Sequence, residues 1–208
     1  MKNLTLIFFI FSLLSYSQNN FTSARSIEIS ENNYEEQLRS SIVKNIELTN
    51  IGPSVMSGRV TDLEVNPNNP TEFYVAYASG GLWHTKNNGT TFSPIMDNSM
   101  TQNIGDFAID WKSNSIYVGT GESNSSRSSY PGIGILKSND NGSTWSNIGL
   151  RDSHHISRVL VNPNNENHIV VAVIGHLYTK NTQRGIFTSF DNGQTWEKSL
   201  FINDHTGA

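Results

Sequence analysis

The chain has no cysteine in 208 residues. That excludes disulfides, thiolate metal sites, a cysteine nucleophile and the lipid-bearing cysteine of a bacterial lipoprotein. Charge is also scarce: 15% of residues are charged, the net charge is −4, and no basic run is long enough to track a phosphate backbone. No nucleic-acid partner is therefore expected. Long apolar runs are missing as well. The longest, Leu4 to Leu14, falls well short of the ~20 residues that a helix needs to cross a bilayer, so no membrane span is expected. What is present suffices for a core, with 36% hydrophobic and 10% aromatic residues.

The apolar run follows Lys2 and is followed by the small residues Ser15 and Ser17. This three-part form is that of a secretory signal over residues 1–17, with cleavage expected before Gln18 and a product that is periplasmic, extracellular or on the cell surface. Residues 18–45 are polar and rich in Asn, Ser and Glu. They read as a leader or linker with one short helix over Tyr34 to Lys44. From Ile46 onward, short alternating apolar segments are separated by Gly, Asn and Pro clusters, which predicts many short strands.

Two elements repeat in this second part. Val65-Asn66-Pro67-Asn68-Asn69 returns as Val161-Asn162-Pro163-Asn164-Asn165. Three octapeptides, beginning at Thr85, Ser138 and Ser189, share one pattern in which Asn87, Asp140 and Asp191 fall 53 and 51 residues apart. The period is that of a four-stranded propeller blade, and the expected fold is an all-β propeller of antiparallel blades, about three of them over 58–97, 103–150 and 153–201. The segment Ile46–Ile51 precedes the first blade and is expected as an orphan outer strand. Propellers have four to eight blades, so the remaining blades are expected C-terminal to Ala208.

Each octapeptide belongs at the turn between third and fourth strands, where Asn-Gly supplies positive φ angles. Asp140 and Asp191 are expected to accept backbone N–H groups there, with Asn87 in the first copy, while Trp145 and Trp196 fill space between sheets. These are folding roles. The pattern resembles the Asp-box repeat of bacterial neuraminidases closely in two copies and loosely in the first, where Asn87 and Phe92 replace Asp and Trp. Asn50-Ile51-Gly52-Pro53, Gly58-Arg59-Val60, Gly80-Gly81-Leu82-Trp83 and Gly119-Thr120-Gly121-Glu122 extend the likeness. In this order they resemble the bacterial sortilin-like glycosyl hydrolase group, relatives of sortilin receptors and xyloglucanases. The resemblance implies a secreted propeller over 46–208. It also implies a catalytic Asp just before the Gly-Gly of blade one, where this chain has Ala78 and Ser79.

Strands of a blade alternate in direction, so the octapeptide turns share one face with the first-to-second turns. The second-to-third loops and blade connections share the other. Ligands are expected on that loop face, from Arg59, Glu122, Arg127, His176 and Arg184. Glu122 and Arg127 could orient a polar ligand, cap loops or pair with each other. His154 and His155 are adjacent and on an extended chain point apart, so no metal site is expected, and no cofactor. The sequence thus supports a module that binds a peptide or carbohydrate. Its alternative is a xyloglucanase- or sialidase-like glycoside hydrolase with part of its carboxylates elsewhere, and a structural repeat of a larger surface assembly is a third reading.

Overall fold

The structure is a computed structural model, described for residues 21–46, 58–124 and 129–208. Among the described residues there is one helix, α1 (Ala24–Ser40), and there are three antiparallel sheets of four strands in chain order. The first sheet holds β1 (Val60–Val65), β2 (Phe73–Tyr77), β3 (Gly81–Thr85) and β4 (Ser93–Pro94). The second holds β5 (Ile104–Asp110), β6 (Ser115–Thr120), β7 (Ile135–Ser138) and β8 (Ser146–Gly149). The third holds β9 (Ile156–Asn162), β10 (Asn165–Val173), β11 (Gly185–Ser189) and β12 (Glu197–Leu200). The expected signal segment lies outside the described residues, as does Glu47–Ile51 of the expected orphan strand.

Turn chemistry places these strands. Asn88, Asn141 and Asn192 and the glycines that follow them all have positive φ, the conformation that Asn-Gly adopts at low cost. In the second sheet Asp140 Oδ1 accepts the Thr144 N–H at 2.9 Å and Oδ2 the Thr144 hydroxyl at 2.6 Å, while Ser138 Oγ accepts the Gly142 N–H at 2.8 Å. Ser189, Asp191 and Thr195 repeat this set in the third sheet. In the first, Asn87 Oδ1 takes the Thr91 N–H at 2.9 Å and its Nδ2 donates to the Thr91 hydroxyl. An amide therefore does most of a carboxylate's work at this turn.

Strand ends fall where the backbone forbids a ladder. β4 is two residues long and ends in Pro94, which has no N–H to offer. β7 begins only at Ile135, because Gly134 sits at φ 99°. Thr120 Oγ1 there accepts the Ile133 N–H and donates to the Gly134 carbonyl. β10 starts at Asn165 and carries an irregularity before Ile169.

Two apolar layers join the sheets. Tyr74, Leu82, Met96, Phe107, Ile116, Val118 and Leu136 fill the space between the first and second. Tyr117, Ile135, Ile156, Val159, Val171 and Phe187 fill that between the second and third. Trp145 and Trp196 are partly buried at these seams and donate their indole N–H to Ile95 and Ile148 carbonyls of the preceding sheet, at 3.0 and 2.8 Å. The middle sheet is thus covered on both sides, and every residue of β6 is buried. The outer sheets are not: Val60, Leu63 and Val65 are exposed on one, and Leu160, Leu200 and Phe201 on the other.

α1 is not a free leader. It begins at Ser23, whose hydroxyl accepts the Ser26 N–H, and it ends at Ser40 rather than running to Lys44. Ile27 packs on the first apolar layer and Glu31 pairs with Arg151 at 2.8 Å. Among the described residues no helix is long and apolar enough to cross a membrane.

Candidate functional site

The octapeptide turns and the first-to-second turns share one end of the sheets, as the Asn88 N–H to Thr71 carbonyl and Asn192 N–H to Asn167 carbonyl bonds record. At the opposite end the second-to-third loops meet the inter-sheet connections. There the Gly121 N–H reaches the Asn103 carbonyl, the Gly132 N–H the His154 carbonyl and the Ile174 N–H the His155 carbonyl. Phe21, Thr22 and Ile27 lie against this loop face.

Between the second and third sheets the loop face holds a cleft of about 450 Å3. Ile27, Pro131, Ile133, Leu177 and Tyr178 form apolar walls, and His154, His155 and His176 supply the polar part. Phe21 sits over it, its ring centroid 4.7 Å from that of His176 and 6.2 Å from that of His154. The three histidines are held low by burial. His154 and His155 fall to about 4, with the charge of His176 adding to the effect. His176 is also lowered by burial, against the pull of Asp152. All three rings are therefore neutral at pH 7.

The five residues expected to contact a ligand do not form one cluster. Glu122 is buried and forms an ion pair with Arg59, which ties the loop after β6 to the start of the first sheet. Arg184 is 5% exposed. Its two terminal nitrogens donate to the carbonyls of Ile174, His176, Thr179 and His205, closing the 174–184 loop around the guanidinium. His176 reaches the cleft, and Arg127 lies outside the described residues. Burial and ion pairing thus turn two candidates into loop anchors.

One carboxyl that the sequence did not single out is Asp106 on β5. It is buried beside Asp62, accepts the Val159 N–H at 2.7 Å and faces Arg158 at 3.4 Å. Burial first, and Asp62 in addition, push it up to about 7 against the opposing Val159 bond and the Arg158 charge. It fastens β5 to β9. Nothing in the local pattern Gly105-Asp106-Phe107 distinguishes it from a solvated strand residue.

Among solved structures, the crystal structure of an ancestral GH74 enzyme is similar to this chain, with a TM-score of 0.59 and 20% identity over 77% of this chain. The fold is a β-propeller, seen as three blades. The chain spans 21% of that enzyme's length, and at this identity the likeness shows the fold alone. YCF48 from Cyanidioschyzon merolae matches at a TM-score of 0.45 and 17% identity, over 73% of this chain and 40% of that one. The GH74 xyloglucanase from Xanthomonas campestris matches at 0.34 and 14%, over 66% and 29%. No protein-family model matches the chain, and no curated protein does. In blade terms the cleft lies between blades two and three. At the place where xyloglucanases are expected to carry their first acid, Ala78 is buried and continues the β2 ladder by donating its N–H to the Arg59 carbonyl.

Proposed function

We propose that this chain is part of an exported, sortilin-like Asp-box propeller that binds a peptide on its loop face, in the cleft between blades two and three. The observation that carries this reading is the chain's own segment 21–23, which lies non-helical over the cleft with its Phe21 ring against His176. A half-exposed aromatic ring on a non-helical backbone thus packs at the cleft, and apolar walls with a few polar groups are the usual make-up of a peptide seat. The exposed apolar flanks of blades one and three are read as seats for further blades of the same protein.

A second reading, a glycoside hydrolase, draws on Asp106, a carboxyl that stays protonated near neutral pH as a general acid must. Asp62 is its immediate neighbour, and two carboxyls in hydrogen-bond contact are closer than the ~5 Å or more that glycosidase pairs need. The second acid would then come from another part of the protein.

The test is a peptide and glycan array on the full exported chain, followed by Tyr178→Ala and Arg127→Ala in that background. Tyr178, 84% exposed at the cleft rim, is expected to lower peptide affinity about tenfold when truncated. Binding of glycans alone replaces the peptide by a sugar. A peptide bound equally well by both variants overturns this seat. Xyloglucan turnover that disappears in Asp106→Asn establishes the hydrolase instead.

A further inference from the structure

We propose that Asp152, His154 and His176 form a Zn2+ site at the floor of the cleft between blades two and three. One ligand atom from each lies within 4.8 Å of the others, the one such group among the described residues. His176 Nε2 is 3.4 Å from Asp152 Oδ1. A tetrahedral ion with bonds of about 2.0–2.1 Å sets its ligand atoms about 3.3 Å apart, so this pair already stands at coordination distance. His154 lies beside this pair, its ring stacked 3.6 Å from that of His176, and a side-chain rotation would be needed to turn a ring nitrogen onto the ion.

Three further observations point to a cation rather than to a packed polar core. His176 is 2% exposed, and its Nε2 is buried without a hydrogen bond of good geometry. A buried nitrogen left so is costly unless something else satisfies it. Its Nδ1 lies 2.7 Å from the Thr179 hydroxyl. With Nδ1–H donating there, the Nε2 lone pair faces the Asp152 carboxylate, an arrangement that an ion between them would turn from repulsive to attractive. His154 Nε2 lies 3.3 Å from the Thr22 carbonyl, and when it donates there, Nδ1 keeps the second lone pair.

The backbone is fixed for this purpose by one buried side chain. Asn181 donates to the Asp152 carbonyl at 2.7 Å and accepts the His176 N–H at 3.1 Å, so it holds both ligand-bearing segments. Burial keeps both imidazoles neutral at pH 7, the form that binds metal. Two imidazoles and one carboxylate suit Zn2+ rather than Ca2+ or Mg2+, which take oxygen ligands. Three protein ligands leave a fourth position open towards the cleft. His155 is not part of the set, because it lies outside the group of ligand atoms that come within 4.8 Å of one another.

The experiment is calorimetric titration of Zn2+ into the full chain, freed of tag and metal by protease and chelator. One equivalent is expected to bind with saturation and to raise the melting temperature. Asp152→Asn and His154→Ala, both at partly exposed positions, are expected to weaken it at least about tenfold, the scale on which even the outer partners of metal ligands act. His205→Asn, at an exposed histidine outside the site, is expected to bind like the wild type. Absence of saturable binding by the folded wild type overturns the site. So does binding that survives both ligand variants, or that His205→Asn removes.

Discussion

Acid should loosen this molecule first at His155. The ring is 3% exposed, its Nδ1 is bonded to the Glu122 carbonyl, and burial together with the His176 charge lowers its pKa from 6.5 to about 4. Between those two values the unfolded chain holds a proton that the folded chain refuses. Stability from this residue is therefore fully present above pH 6.5 and is lost as pH falls towards 4. At 1.36 kcal/mol per pH unit, the loss is roughly 3 kcal/mol. Asp106 acts with the opposite sign: its folded pKa is raised from 3.8 to about 7, so over that window the folded state holds the extra proton and gains stability on acidification. The whole-protein curve mixes the two, and the comparison must be between wild type and His155→Asn.

Asn can still donate to the Glu122 carbonyl, and it cannot be protonated. Urea unfolding of both full chains at pH 7, 5.5 and 4.5 should show the wild type losing its advantage over the variant as pH falls, by up to about 3 kcal/mol. The ring can also be followed directly by NMR in the wild type. Parallel stability curves, or a His155 titration near 6.5, would refute the reasoning.

Two further outcomes are expected. Asp140→Ala should lower the urea midpoint, whereas Asp140→Asn should keep most of it, because Asn87 makes the equivalent contacts to Thr91; ligand affinity should change in neither, and lost binding with intact stability would show that the two faces are reversed. Residues 18–208 expressed alone should self-associate through the exposed Leu63, Leu160, Leu200 and Phe201, and size-exclusion chromatography showing a monodisperse, cooperatively melting monomer would contradict the propeller-flank reading.

The strands were legible because their signals are local. An Asn-Gly pair forces a tight turn whatever surrounds it, and the Asn-Pro-Asn-Asn segments form the same Asx turn twice, with Asn66 and Asn162 each accepting the N–H two residues on at 2.9 Å. The helix was harder to read. Only Ile27 and Glu31 of its Ile27, Glu31, Tyr34 and Leu38 stripe are partly buried, and the acid in that stripe interrupts the apolar period that marks an amphipathic helix. Only the position of Arg151, 120 residues away, explains why Glu31 belongs there. The same holds for Glu122, which sequence proximity paired with Arg127. The fold gives it Arg59 across the seam between blades one and two.

The histidines show most directly how a backbone angle can decide chemistry. Alternation on an extended chain sends His154 and His155 to opposite sides, and on that ground the pair offered no common ligand. His154 in fact stands at φ 55°, and Leu150 before it at φ 53°, so the connection from blade two to blade three is a compact left-handed bend rather than a strand. The bend does keep the two rings apart, with centroids 6.3 Å from each other and planes nearly perpendicular. It also turns His154 onto His176, 22 residues later in the chain, at 3.6 Å and with Asp152 beside it. The rule about adjacent residues therefore holds for the pair it concerns, while the pairing that could hold a metal arises between two loops that only the blade-to-blade packing brings together.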